Sequence, residues 1–390
     1  MNDRLVAFDI GESQVQLVYY ANKQVKKAVC AALPDNLVLN GEILSMDAMA
    51  DFLKETAKKN DIPRANVAVI LPESLVFTRN VSVPLMTEAQ LVYNLPYEFK
   101  DYLTHEKNDY FFDYAVQERV AVEEDEDYSQ DSSGSQNSQD LSAKYEPSQA
   151  QSSFKPLQIG KSSQRNAGQQ EQQEQQEHGK HAQAEELKLF ACATLKETIA
   201  QYRAMFNRAG FKLKIAIPEE AAYAALLRAR IEHGVHENEE DTCFVDVGYS
   251  CVRMQFYKGD SFYSRRIINL GMRDLVYSIA DAHNVDEHMA YEYLITNYED
   301  VVNEQTSVEV YQRMAVEIMK AVNFYNYNNR DQMLNCLYLC GGGSEILPLQ
   351  NEIDGHIDAE IRSAVELLPE SARVDNAIMF VKALGCAMQE

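Results

Sequence analysis

Twice in this chain an apolar, strand-like run ends on Asp-x-Gly, and the two runs are followed by similar stretches. The first is Leu5-Val6-Ala7-Phe8-Asp9-Ile10-Gly11 and the second Thr242-Cys243-Phe244-Val245-Asp246-Val247-Gly248. After the first come strand candidates at Val15 to Tyr20 and Lys26 to Ala32. A helix from about Met46 to Lys59 follows, with Met49, Phe52 and Leu53 on one face, and then a buried-looking strand at Val67 to Leu71. After the second come Val252 to Tyr257, a Gly259-Asp260 turn, Ser261 to Ile267 and a helix beyond Gly271. Two copies of three antiparallel strands leading into helices and parallel strands predict two similar α/β domains facing one another. Their Asp-x-Gly turns then meet across the cleft.

The rest of the chain connects these copies. Leu195 to Ala209 reads as a helix closed by Gly210, Lys212 to Ile217 as a strand, and Glu219 to Glu232 as a helix. Residues from about Ser82 to Thr194 form a separate small subdomain, in which Thr87 and Gln90 supply a capping box before Leu91 and Pro96 shortens the helix that follows. Within it, Glu118 to Ala184 is low in complexity, from the acidic run Glu123 to Asp127 to the Gln/Glu tract Gln169 to Glu177. So few apolar side chains cannot offset chain entropy, and this stretch is expected to be a disordered insertion. The aromatic run Phe324-Tyr325-Asn326-Tyr327 is expected to pack in the core of a long helix.

Composition removes several function classes. With 36 basic against 60 acidic side chains among 390 residues, the formal charge is -24, which excludes a general nucleic-acid binder. The seven cysteines are scattered and form no CxxC pair, as expected of a reducing cytoplasm, and Cys336 and Cys340 lack a His pair that would make them zinc ligands. No segment approaches the roughly 20 apolar residues of a membrane span and the start of the chain lacks the pattern of a signal peptide, so the chain is expected inside the cell. The mostly apolar run from Ala377 to Met388 reads as a packed last helix, leaving any membrane association to a partner.

A carboxylate at a strand end, followed by Gly in a tight turn, can hold a hydrated cation while the turn amides approach phosphate oxygens. A pair of such turns facing each other would grip a nucleotide tail. A third element is the strand Leu337-Tyr338-Leu339-Cys340 running into Gly341-Gly342-Gly343-Ser344, where the glycines leave room for a flat ligand or a phosphate against backbone.

Taken in order, the Asp9-Ile10-Gly11 turn, the Asp246-Val247-Gly248 turn and the run Leu339 to Ser344 resemble the first phosphate, second phosphate and adenosine motifs of the actin-like ATPase superfamily. Within it the chain most resembles the PilM family of type IV pilus assembly, relatives of the division protein FtsA. Supporting stretches are Val81 to Leu85, Arg266 to Gly271 and Glu317 to Tyr325, and the likeness covers nearly the whole chain outside the insertion. The resemblance implies an α/β, ribonuclease H-like duplicated two-domain fold with a small inserted subdomain. Residues 1–81 and 195–240 would form the first domain and 82–194 the small subdomain with its linker at about 118–184. Residues 241–374 would form the second domain, including a helical subdomain at about 285–335, and 375–390 a terminal helix packing on the first domain.

The same resemblance implies a cytoplasmic protein that binds ATP with Mg2+ between its halves and, with its small subdomain, takes the short tail of a PilN-like inner-membrane protein. By matching position, Asp9 and Asp246 would order the metal and its waters. Gly11, Gly248 and Ser250 would lie along the phosphates, Gly341, Gly342 and Gly343 against the adenosine, and Glu317 with Lys320 near adenine and ribose. The chain departs from the family pattern at Gln16, where relatives usually carry a phosphate-reaching Lys, at Glu12, where a small hydroxyl residue is common, and at Tyr249 and Cys251, where small residues and Thr are usual. A lost cation and an added anion weaken the hold on triphosphate. Hydrolysis needs a group that positions water, for which Glu219 is the candidate; the same residue also suits a helix start, where a carboxylate offsets the dipole. An actin-like scaffold, an ATPase or small-molecule kinase on the same fold, an FtsA-like division protein and a relative that binds only protein all stay open, as does homo-oligomer formation.

Overall fold

The computed structural model describes residues 4–122, 184–232, 241–330 and 332–389. The chain opens with an antiparallel meander, β1 (Arg4–Ile10), β2 (Gln14–Ala21) and β3 (Gln24–Ala32), followed by a two-residue hairpin, β4 (Val38–Leu39) and β5 (Glu42–Ile43). Helix α1 (Met46–Lys59) starts where Ser45 accepts a hydrogen bond from Ala48 N and buries Met49, Ala50, Leu53 and Ala57, the face that its spacing selects. Strand β6 (Asn66–Leu71) returns parallel to β1.

The small subdomain comes next: β7 (Phe77–Pro84), α2 (Glu88–Glu98), β8 (Tyr110–Val122) and β9 (Ala184–Leu195), with the sheet ordered β7-β9-β8. Thr87 and Gln90 cap α2 reciprocally, as expected, and the helix stops two residues after Pro96. The strand β8 runs past the expected start of disorder at Glu118, because its ladder with β9 continues to Val122, opposite Ala184. Backbone pairing with β9 holds these residues, and the Glu118–Lys188 ion pair spans the ladder at 2.7 Å. The remainder of the expected disorder, residues 123–183, lies outside the described residues.

The chain then returns through α3 (Lys196–Ala209), closed by Gly210 at φ +92°, to β10 (Lys212–Pro218), parallel to β6, and to α4 (Glu219–Glu232). The first sheet is therefore ordered β10-β6-β1-β2-β3. The second half repeats this plan with β11 (Asp241–Val247), β12 (Val252–Lys258) and β13 (Ser261–Ile268), then α5 (Met272–His283), α6 (Glu287–Thr296) and α7 (Gln305–Asn328). Strand β14 (Cys336–Cys340), α8 (Leu347–His356), β15 (Glu360–Ser363) and α9 (Val381–Ala387) complete it. Its sheet is ordered β13-β12-β11-β14-β15, the same arrangement of three antiparallel and two parallel strands. The duplication expected from the sequence is thus the architecture of the molecule.

Each lobe has its own core, and a further core joins them. Helices α4 and α9 lie between the two sheets, where Ala7, Val18 and Ile70 of the first lobe and Phe244, Tyr338 and Cys340 of the second share one apolar cluster. The two helices approach so closely that any side chain at Gly385 would collide with the carbonyl of Ala222. A polar tie lies beside this core. Glu220, almost wholly buried, accepts from Thr78 Oγ1 at 2.9 Å and pairs with Arg265 of the second lobe at 2.8 Å, while Arg265 also meets Glu73 at 2.6 Å. Asn80 reaches the carbonyls of Phe262 and Tyr263 from the small subdomain.

In α7 the aromatic run splits by helical period rather than packing as a block. Tyr325 stacks on Phe256 at 4.6 Å, whereas Phe324 and Tyr327 are 71% and 67% exposed. Among the described residues no helix is long and apolar enough to cross a membrane.

Candidate nucleotide cleft

The two Asp-x-Gly turns have the same local geometry. Gly11 N donates to the carbonyl of Gln14 at 3.0 Å, and Gly248 N donates to that of Cys251 at 3.1 Å. A Cβ on either glycine would stand 3.0 Å from the same carbonyl, so the hairpins require glycine for close approach. In register, Asp9 faces Gln16 across β1 and β2, and Asp246 faces Arg253 across β11 and β12. Both turns line one cleft of about 440 Å³, together with Glu219, Tyr223, the glycine run and Lys382. That is the size of an ordinary small-molecule site.

The glycines of the third element serve different ends. Gly341 has φ +82°, and a side chain there would collide with the carboxylate of Asp246. Gly343 is pressed against Val247 and Met272. Gly342 is the one whose missing side chain looks toward the cleft, with Met379 Cε 3.5 Å and Gln14 Nε2 3.9 Å from where its Cβ would be. Helix α5 spends its first amides on the second turn: Met272 N donates to Gly248 O and Arg273 N to Tyr249 O, at 3.1 and 2.8 Å. This hands the positive end of the α5 dipole to the loop that lines the cleft.

At the centre stands a charge cluster drawn from four elements. The ammonium of Lys382 on α9 donates to Asp246 Oδ2 at 2.9 Å and lies 3.3 Å from Asp9 Oδ2 and 3.4 Å from Glu219 Oε1. The Glu219 oxygen is attracted by charge without hydrogen-bond geometry, and among the described residues it has no hydrogen-bond partner. Burial pushes the Asp9 carboxyl above its usual range, with Lys382 opposing and Glu219 and Asp246 reinforcing the rise. Burial acts on Asp246 in the same sense but is outweighed by Lys382 and Arg253, so this carboxylate stays below its usual range. For Lys382 itself burial disfavours the charge, yet Asp246, Asp9 and Glu219 together hold the ammonium protonated far above its ordinary range.

The model of the family described as type IV pilus assembly protein PilM matches residues 7–129 and 176–384. The chain belongs to the PilM family. It is an actin-like protein of type IV pilus assembly. A solved PilM-PilN type IV pilus biogenesis complex is similar at 18% identity over 99% of this chain and 98% of that one, with a TM-score of 0.67. The ethanolamine utilization protein EutJ from Carboxydothermus hydrogenoformans is similar at 11% identity over 99% and 89%, with a TM-score of 0.54. At these identities the structures establish the actin-like ATPase fold. No curated protein matches the chain.

Of the residues that the PilM-family resemblance nominates, the structure gathers Asp9, Gly11, Gln16, Glu219, Asp246, Gly248, Ser250 and Gly341, Gly342 and Gly343 around one cleft. It does not bring Glu317 and Lys320 there. These pair with each other at 2.7 Å on an exposed face of α7, outside the cleft lining. Gln16 is buried with its Oε1 unpartnered.

The sequence reading missed Arg253 and Lys382. Arg253 could have been found, since it stands opposite Asp246 where Gln16 stands opposite Asp9. Lys382 left only the trace of being the sole basic residue in an apolar final segment.

The acids also bear on the expected Mg2+. Among the described residues no group of three or more His, Cys, Asp or Glu is arranged to hold a metal ion. Asp9, Glu219 and Asp246 converge on an ammonium instead, so the donor set as arranged does not fit a divalent cation.

Proposed function

We propose that this PilM-family chain is a cytoplasmic ATP-binding scaffold that reaches the inner face of the cell membrane by taking the N-terminal tail of a PilN-like protein. The observation that carries the reading is the pair of matching Asp-x-Gly hairpins, one from each lobe, that face one another across a single cleft closed by a glycine run. Turn amides and the N-terminal end of α5 offer dipoles to phosphate oxygens, while Lys382 and Arg253 offset the carboxylates that would otherwise repel a polyphosphate. Bound nucleotide then acts by its differential affinity for more open and more closed lobe arrangements.

The arrangement favours holding nucleotide over hydrolysing it. Glu219, the candidate for orienting an attacking water, lies 3.4 Å from the Lys382 ammonium, a cation that competes with water for the same oxygen. For the partner, α2 of the small subdomain presents Val92, Tyr93 and Tyr97 to solvent, with Tyr93 and Tyr97 in ring contact and Lys107 over the Tyr97 ring. An aromatic, cation-bearing face of this kind suits a short extended peptide.

Melting the full chain with and without millimolar ATP tests the nucleotide, where binding at a hundred times the dissociation constant stabilises by about 2.7 kcal/mol. Titrating a fluorescent peptide of the PilN-like N-terminus, with and without ATP, tests the scaffold. An unchanged melting temperature would remove ATP from the reading, and no peptide binding under either condition would remove the partner.

A further inference from the structure

Lys382 stands outside every motif of the cleft. It comes from the last helix, far from every recognised motif in sequence, and its ammonium sits where three carboxylates from β1, α4 and β11 converge. We propose that Lys382 is the cation of this cleft, standing where a divalent metal ion would otherwise be drawn, so that the chain binds nucleoside polyphosphates without needing Mg2+. The proposal concerns the cleft described above, and its nucleotide arm rests on that functional reading.

Three observations carry it. First, the ammonium is bound from both lobes at once, at 3.3 Å from Asp9 and 2.9 Å from Asp246, the two residues placed to attract a metal. A magnesium ion drawn there with its waters would have to share the meeting point of those oxygens with a second positive charge. Second, Lys382 is placed by a rigid element. Helix α9 buries Val381, Ala383, Leu384, Cys386 and Ala387 and is locked to α4 at Gly385, so the amine is not a loose surface charge folded inward. Third, the position opposite Asp9 on the first hairpin is the neutral Gln16, where the second hairpin has Arg253 opposite Asp246, and Lys382 delivers a cation to Asp9 from another part of the chain. An ammonium is also a donor of charge-assisted hydrogen bonds to phosphate oxygens, the role in which Lys commonly serves.

The test uses the full chain with Mn2+ alone and then with ATP. Mn2+ binding followed by electron paramagnetic resonance is expected to be absent from the wild type at submillimolar metal and to appear in Lys382→Met, which frees the carboxylates. Wild-type affinity for ATP is expected to be the same in EDTA and in Mg2+. In Lys382→Met the EDTA affinity should fall by about tenfold or more, the value of a charge-assisted hydrogen bond, and Mg2+ should restore it. Lys382→Arg, which keeps the charge, should exclude Mn2+ as the wild type does.

Tight Mn2+ binding by the wild type, or ATP binding that EDTA abolishes, would overturn the proposal. If Lys382→Met fails to fold, these two wild-type measurements decide the matter. If the wild type binds no ATP, the functional reading fails, while Mn2+ exclusion still tests Lys382.

Discussion

Replacing Arg265 by Met would break the polar tie between the lobes while keeping most of the side chain's apolar length. Glu220 would then be left almost wholly buried with Thr78 as its remaining side-chain donor, and Glu73 would lose its partner. Removing one member of a fully buried pair costs about 3–5 kcal/mol, chiefly because the surviving charge is stranded. Arg265 itself is 31% exposed, so water screens part of the attraction and a loss of about 2–3 kcal/mol at pH 7.5 is the expected value.

The pH dependence follows from Glu220, whose carboxyl is raised above its usual range by burial, with Arg265 opposing. A carboxyl raised on folding stabilises the fold in its protonated form, fully so below its unfolded value, and that contribution disappears as pH rises through the folded value. Without Arg265 the rise is larger, so the deficit of Arg265→Met should shrink on going from pH 7.5 toward pH 5.

Urea unfolding of the wild type, Arg265→Met, Glu220→Gln and the double variant measures this. The double variant should be more stable than the sum of the single losses, because Glu220→Gln removes the stranded charge. Additive losses, or a cost for Arg265→Met under about 1 kcal/mol at pH 7.5, would refute the reasoning.

Two further outcomes follow from the same geometry. Gly341→Ala combines a left-handed backbone with a collision against Asp246, and should cost about 2 kcal/mol or more and lower ATP affinity. Gly342→Ala, with ordinary contacts, should do much less, and equal effects in thermal melts would count against the assignment of roles within the run. Asp113 of β8 is pushed up to about 6 by burial, partly offset by its hydrogen bond from Tyr114 N. Its contribution to stability is therefore present at acid pH and is lost as pH rises through about 6. Hydrogen exchange in β8 and β9 should speed up by the equivalent of about 1–2 kcal/mol between pH 5 and 7.5 after correction for intrinsic rates, and Asp113→Asn should abolish that change.

What could be read from the sequence was what local pattern determines. The alternation and the paired Asp-x-Gly endings announce two like sheets, because strand and turn preferences act over a few residues, and the capping box at Thr87 is as local. The glycine run was legible as a constraint but not in its purpose. Two of its glycines answer to Asp246, Val247 and Met272, neighbours that only the folded chain supplies. Lys382 was hidden for the same reason, since an apolar helix with one lysine gives no hint of which carboxylates it will meet. The placement of Glu317 and Lys320 came from resemblance alone, and α7 turns both outward. Strand β8 runs on past Glu118 because pairing with β9, a neighbour that local composition does not reveal, holds its backbone.

Val122 and Ala184 are ladder partners, so the two ends that bound residues 123–183 stand side by side in the small sheet. Closing a longer flexible excursion between fixed ends costs only about 0.6 kcal/mol for each doubling of its length. With its two ends held by the ladder, the small sheet is in effect indifferent to how many residues separate them, and descendants could lengthen, trim or re-write that stretch while the cleft and the lobes went on as before.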